Sequence, residues 1–302
     1  MKKINRFLLV VVVSLLFVSC TERQTGFRFV FMTDIHVQPE LSANEGLAAA
    51  TDKVNELSPD FVITGGDLIM DALGQTFERA DSLYDMYIDL SQGFDMPLYN
   101  TIGNHEVFGL YEESGISPQH GQYGKAMFLD RMNYEKTYYS FNHKGWHFII
   151  LDGIGFTPER KYYGVIDSTQ LSWIKQDLEN VNRETPIVIS SHIPFTTVWG
   201  QMQNGPTYAA SESSVITNAL DVLTLFADHN LKLVLQGHLH EVEEIKFRGV
   251  TYITAGAVCG GWWKGDREGF PEGFAVIDVA GKDFTWSYQT YGWDANKYAE
   301  VE

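Results

Sequence analysis

The chain has 302 residues, 44% hydrophobic and 14% aromatic, which is enough apolar surface for a substantial core and excludes wholesale disorder. A formal charge of −17 argues against nucleic acid as a partner and against polybasic attachment to anionic lipid. Cys20 and Cys259 are the only cysteines, and the first is spoken for below, so no internal disulfide framework is available.

At the start of the chain, Lys2, Lys3 and Arg6 precede an apolar run from Phe7 to Val18, followed by Ser19 and Cys20. A basic region before a short apolar stretch is the pattern of a secretory leader, too short to span a bilayer comfortably. Ser19 before Cys20 resembles a bacterial lipobox, although Phe17 stands where Leu is usual. The expectation is a lipoprotein signal over residues 1–19, a lipidated Cys20 as the mature N-terminus, and a short tether over residues 20–26. The body, residues 27–302, would then be a single domain held at a membrane of the cell envelope without a spanning helix. An ordinary leader cut nearby is the alternative.

Phe27 to Met32 reads as a buried strand, Leu47 to Leu57 as a helix and Phe61 to Ile63 as a second strand ending at Gly65 and Gly66. Phe77 to Leu90 has helical spacing, and Pro97 to Ile102 reads as a third strand. This βαβαβ alternation predicts a parallel sheet covered by helices, with ligands at the carboxyl ends of its strands. A long polar loop, Gly109 to Gln122, is followed by a short helix over Ala126 to Met132. Tyr138 to His143 and Trp146 to Asp152 form a hairpin across Lys144 and Gly145. Thr157 to Tyr163 reads as loop, Ser168 to Val181 as a helix capped by Asp167, and Pro186 to Ile189 as a buried strand. A loop from Pro194 to Ala209, a helix over Val215 to Ala227 and a strand over Leu231 to Leu235 come next. Val242 to Phe247, Thr251 to Ile253, Phe274 to Val279 and Phe284 to Tyr288 are strand-like and are expected to close a second sheet, with Gly260 to Gly269 lying over the site.

Five motifs sit at strand exits: Asp34 with His36, Asp67 after Gly65 and Gly66, Asn104 with His105, His192 after Ser190 and Ser191, and His238 with His240 after Gly237. Two divalent ions a few ångströms apart need one shared anionic ligand plus oxygen and nitrogen donors that leave them unsaturated. Asp67 suits the shared position because a carboxylate divides two oxygens. Such N/O sets fit Mn, Fe, Zn or Co and do not choose among them, and the lack of cysteine ligands argues against a structural zinc site. Taken singly, Asp34 reads better as a helix cap and Asp67 as a turn residue; together the five motifs point to a metal site.

The motifs TDIH, GGDL, GNHE, SSH and GHLH resemble those of the calcineurin-like metallophosphoesterases, over nearly the whole of residues 27–302. The resemblance implies a four-layer α/β/β/α sandwich of two mixed β-sheets flanked by helices. It implies that Asp34, His36, Asp67 and His240 hold one ion and Asp67, Asn104, His192 and His238 the other. His105 would lie beside the ions without ligating them and would stabilise charge on the phosphoryl group or protonate the leaving oxygen, while a hydroxide bridging the ions attacks phosphorus. Asp71 or Glu106 would orient His105. Purple acid phosphatases carry a Tyr three residues after the shared Asp, where this chain has Met70, so a ferric–tyrosinate centre is not expected. Phosphoprotein phosphatases show GD-x-x-DRG, and GDLIMDA lacks the Arg.

Trp262, Trp263 and Lys264 follow two glycines soon after GHLH and are candidate contacts to the organic part of a phosphate ester, with Arg160 and Lys161 as further candidates. Cys259 reads as small apolar packing. The functional expectation is a phosphoester hydrolase acting on diesters or small monoesters. The alternative is a catalytically silent surface lipoprotein that binds a glycan or partner on the same scaffold. Two metals per chain and turnover that depends on them would separate the two.

Overall fold

The computed structural model describes residues 26–297. The expected leader, Cys20 and nearly all of the expected tether lie outside the described residues. Strand β1 (Phe27–Met32), helix α1 (Ala43–Leu57), β2 (Phe61–Thr64), α2 (Phe77–Ser91) and β3 (Leu98–Asn100) open the chain. They form the expected unit, with β1, β2 and β3 side by side and parallel. After α3 (Ala126–Met132) come β4 (Tyr139–His143) and β5 (Trp146–Ile150), an antiparallel hairpin that turns through Lys144 and Gly145, both at positive φ. A small hairpin follows, β6 (Ile154–Phe156) with β7 (Tyr162–Gly164), in place of the continuous loop expected there. Next are α4 (Ser168–Leu178), whose Asp167 accepts from Gln170 N at 2.8 Å as a cap, and β8 (Pro186–Ser191). The loop beyond contains a short helix, α5 (Trp199–Asn204), and α6 (Ala219–Leu225) is shorter than its apolar spacing suggests. The chain ends with β9 (Asn230–Gln236), β10 (Val242–Phe247), β11 (Val250–Ala255), β12 (Gly273–Ala280) and β13 (Asp283–Thr290).

These strands make two large mixed sheets, in the orders β13-β12-β1-β2-β3 and β10-β11-β9-β8-β5-β4. The four C-terminal strands therefore do not all close the second sheet: β10 and β11 do, whereas β12 and β13 extend the first. Burial explains the division. Ala275, Ile277 and Val279 of β12 face the space between the sheets while Phe274 and Val276 face the helices, and a strand buried on both sides needs the interior place beside β1. β13 alternates exposed and half-buried residues and takes the edge.

Between the sheets lie Phe27, Phe29, Phe31 and Phe61 from one and Trp146, Phe148, Val188 and Leu235 from the other. The opposite face of the first sheet, with Val30, Met32 and Val62, is covered by Leu47 and Val54 of α1, Leu83, Tyr84 and Tyr87 of α2, and Phe128 of α3. The outer face of the second, with Ile149, Ile187 and Val234, is covered by Ile174 of α4 and Val222 of α6. The period-two alternation of β1 thus feeds two cores at once, giving four layers, α/β/β/α.

Phe148 is 1% exposed and packs within 5.2 Å of Phe61, 5.4 Å of Phe29 and 4.9 Å of Phe141 between ring centroids. Phe148→Ala is expected to cost about 3–5 kcal/mol. Urea unfolding should show a lower midpoint with an unchanged slope; an unchanged midpoint would mean that the inter-sheet layer does not bear on stability.

Candidate functional site

Every motif picked out at a strand exit follows the carboxyl end of β1, β2, β3, β8 or β9, and at three of them the backbone is turned against its ordinary preference. Asp34, His36, Asp67, His238 and His240 all have positive φ, between 48° and 72°. For residues with a Cβ this left-handed conformation costs roughly 1–2 kcal/mol each, and such strain gathers at functional sites. Close approach also fixes the glycines of the motifs. A Cβ on Gly237 would stand 2.0 Å from Thr33 Oγ1 and 2.7 Å from Asp34 Oδ2; one on Gly103 would stand 2.3 Å from both N and Oδ1 of Asp67.

The side chains meet in two groups. His240 Nε2 lies 3.2 Å from Asp34 Oδ1 and 3.2 Å from His36 Nε2, and His36 Nε2 lies 3.6 Å from Asp67 Oδ2. On the other side of Asp67, His192 Nε2 lies 3.1 Å from Asp67 Oδ2, 3.2 Å from Asn104 Oδ1 and 3.3 Å from His238 Nδ1. Asp67 Oδ2 thus faces both groups, while its Oδ1 accepts from the backbone N of His105 at 2.9 Å. Asp34 is held by Thr33 Oγ1 at 2.7 Å and by the backbone N of His238 at 3.0 Å.

The donor set passes a test for divalent cations. His192 Nδ1 is 2.8 Å from Gly65 O and His240 Nδ1 is 2.7 Å from Gly260 O. A carbonyl only accepts, so both Nδ1 atoms carry hydrogen and both Nε2 lone pairs point inward at carboxylate oxygens. Acceptor facing acceptor is repulsive unless a proton or a cation lies between them, and an imidazole backed by a carbonyl is the arrangement of a metal-ligating histidine. A proton on Nε2 meets the same need. Burial works against charge on His192, but Asp67 raises it to about 9. Burial works against charge on Asp34 too, yet His240 holds it at about 2. Burial and then His192 push His238 down to about 4, leaving it neutral.

His105 stands beside this cluster. Its Nε2 lies 3.8 Å from Asp67 Oδ2, its ring centroid is 4.6 Å from that of His36, and its Nδ1 donates to Met70 O. Neither acid expected to orient it does so directly. Asp71 is 3.8 Å from Nδ1 and closes its own turn by accepting from the backbone N of Leu73 at 2.8 Å and of Gly74 at 3.3 Å. Glu106, fully buried, accepts from Asp67 N and Gly103 N on Oε2 at 2.9 and 2.7 Å, and from Leu68 N and Ile69 N on Oε1 at 2.7 and 3.2 Å. Burial and the Asp67 charge push Glu106 up to about 7, while four amide donors favour its ionised form. Its position directly after His105 is the only trace of this role in the sequence.

On the aromatic loop, Trp262 turns its ring to the imidazoles, 4.7 Å from His240 and 6.3 Å from His36 between ring centroids, with Arg267 over its face at 4.8 Å. Trp263 takes a different place from the one expected. It is 1% exposed, its indole donates to His36 O at 3.0 Å and its ring presses on Gly46, so it buttresses His36 from the core side. Lys264 is exposed. Arg160 is a staple: its guanidinium donates to the carbonyls of Gly109, Leu110, Tyr111 and Ile116, which leaves little for a substrate. Cys259 is buried as expected, but against Nδ1 of His240 at 4.0 Å. Two residues absent from the motif pattern, Tyr111 and Tyr162, line the mouth on the His238 side, and Tyr162 stands 6.1 Å from the His238 ring.

Removing the Glu106 carboxylate strands four buried amides, and each unpaired group costs about 1–3 kcal/mol. Glu106→Ala is therefore expected to lower the unfolding midpoint, and Glu106→Gln to weaken metal binding about 10–100-fold through a displaced Asp67. Calorimetric titration with Mn or Zn checks the second; unchanged affinity would mean that the Asp67 loop holds itself.

Residues 27–242 match the calcineurin-like phosphoesterase family. Tartrate-resistant acid phosphatase type 5 of Sus scrofa is 24% identical over 244 residues, which cover 74% of this chain and 64% of that protein, just under two thirds of its length. A 3',5'-cyclic-nucleotide phosphodiesterase of Nostoc is 22% identical over 238 residues, covering 76% of this chain and 77% of that one. Among solved structures, a dimetal phosphatase from Danio rerio superposes with a TM-score of 0.63 at 15% identity, covering 88% of this chain and 96% of that one, a likeness of fold. The matched span contains all five strand-exit motifs, and the chain belongs to the calcineurin-like phosphoesterases, a family of metallophosphoesterases.

Proposed function

We propose that this chain is a dimetal hydrolase of small phosphodiesters or phosphomonoesters at the cell envelope, where the leader and Cys20 would place it. Asp34, His36, Asp67 and His240 would hold one ion and Asp67, Asn104, His192 and His238 the other. The observation that carries the reading is the position of Asp67 Oδ2, 3.6 Å from His36 Nε2 on one side and 3.1 Å from His192 Nε2 on the other. Divalent ions of the Mn, Fe or Zn kind, when bound, supply Lewis acidity toward phosphoryl oxygens and acidify water.

The remaining work falls to the chain. Met70 O takes the Nδ1 hydrogen of His105 and so aims Nε2 toward Asp67 and the mouth of the site. His105 is 22% exposed at its side chain, whereas the expected ligands Asp34, His36 and His192 are buried, so it can meet a substrate that they cannot. In its protonated form it donates from Nε2 to a phosphoryl oxygen or to the departing alkoxide. Names of relatives that act on cyclic nucleotides support diesters as one substrate class, and those of acid phosphatases support monoesters. A silent binding scaffold gives no reason for keeping so many charged and polar groups packed out of water around one point.

Elemental analysis of the purified chain is expected to give two metals per chain, and chelation to abolish aryl phosphate hydrolysis and lower the melting temperature. His105→Ala should keep both metals and lose about 10²–10⁴ in turnover. Full turnover in that variant, or in chelated protein, would sink the reading.

A further inference from the structure

The mouth on the His238 side opens into a cavity of about 530 Å³ lined by Tyr111, Tyr162, Glu112, Glu113, Glu159 and Lys161, together with Arg160. Tyr162, at the start of β7, stands edge-on to the His238 ring at 89°. Its hydroxyl and that of Tyr111 have no hydrogen-bond partner among the described residues. Other tyrosines of the fold spend theirs on structure: Tyr84 on Glu106 O at 3.0 Å, Tyr87 on Asn100 Oδ1 at 2.7 Å, Tyr139 on Asn100 O at 3.0 Å. A phenol left over beside a reaction site is available to a ligand.

The cavity is also firmly framed. Arg160 ties the hairpin of β6 and β7 to four carbonyls of the loop after β3, so the wall that carries Tyr111 is pinned to the wall that carries Tyr162. With Arg160 committed, the charged groups free to meet a ligand are three exposed glutamates against one exposed lysine. Aromatic faces with surrounding carboxylates suit an alkylammonium group and repel an anionic one.

We propose that this cavity seats the second organic arm of a phosphodiester, that the Tyr162 hydroxyl donates a hydrogen bond to the bound ester, and that the arm preferred is a cationic amino alcohol. The inference rests on the hydrolase reading above and adds the substrate class. Two p-nitrophenyl diesters, one of phosphorylcholine and one of thymidine 5'-monophosphate, share a leaving group and differ in the arm, and p-nitrophenyl phosphate has no arm at all. With metal-loaded protein, Tyr162→Phe is expected to lower kcat/KM about tenfold on both diesters and less than twofold on the monoester. The triple variant Glu112→Gln, Glu113→Gln, Glu159→Gln should lower it at least fivefold on the choline diester and leave the thymidine diester unchanged. Equal losses on diester and monoester in the first variant, or an unaltered choline preference in the second, would overturn the proposal. Calorimetric binding of phosphorylcholine to the wild type and both variants provides a readout without turnover. If no ester is cleaved but phosphorylcholine binds and both variants weaken it, the hydrolase reading fails and the cavity assignment stands; binding unaffected by either variant overturns the assignment.

Discussion

The site depends on holding imidazole nitrogens and carboxylate oxygens together out of water. Nε2 of His192 and His240 each face a carboxylate oxygen at 3.1–3.2 Å with their other nitrogen already committed to a carbonyl. Burial works against charge on every member of such a cluster, so it has to be held from outside. Two features do this. Carbonyls of Gly65 and Gly260 lock the imidazoles from behind, and Glu106 gathers Asp67 N, Leu68 N, Ile69 N and Gly103 N so that the loops leaving β2 and β3 cannot separate. The left-handed backbone at five of these positions is the local cost of aiming side chains from several segments at one point, and the aromatic layer between the sheets offsets it.

Legibility in the sequence followed this division. Strands buried on both sides, such as β1 and β8, announce themselves as short apolar runs, and the carboxylates and imidazoles at their ends stand out because they break off those runs. Asp34, Asp67, Asn104, His192 and His240 could be picked out for that reason, and the structure brings all five together with His36 and His238. What could not be read was which distant segment a residue meets when its type suits several. The apolar run of β12 says that it is interior and not which sheet it joins; only pairing such as Phe29 with Ile277 decides that. Trp263 illustrates the same limit, because an indole after two glycines is equally suited to solvent or to a slot, and the slot is made by Gly46 of α1 more than two hundred residues earlier.

Charged residues misled for a related reason. Arg160 looks available because it sits in a polar stretch, yet it is consumed by carbonyls that the loop after β3 cannot satisfy within itself. Asp71 looks like an orienter because it stands one residue past the second Asp of GD-x-x-DRG, yet the amides of Leu73 and Gly74 reach it first. In both cases unpaired backbone groups in irregular segments outcompeted the functional role, as expected where a buried amide or carbonyl without a partner costs more than a distant electrostatic contact returns.

The same physics separates chemistry from selectivity in this fold. Residues that must be placed to a fraction of an ångström stand at the ends of β1, β2, β3, β8 and β9, where sheet hydrogen bonds and two cores fix the backbone. The walls that would meet the rest of a substrate, Tyr111, Tyr162 and Trp262, stand on connections outside that frame and are steadied by single devices, Arg160 on one side and Arg267 over Trp262 on the other. Exchanging a residue on those connections alters no sheet register and strands no ligand. Selectivity can therefore drift while the geometry at the strand ends stays as it is.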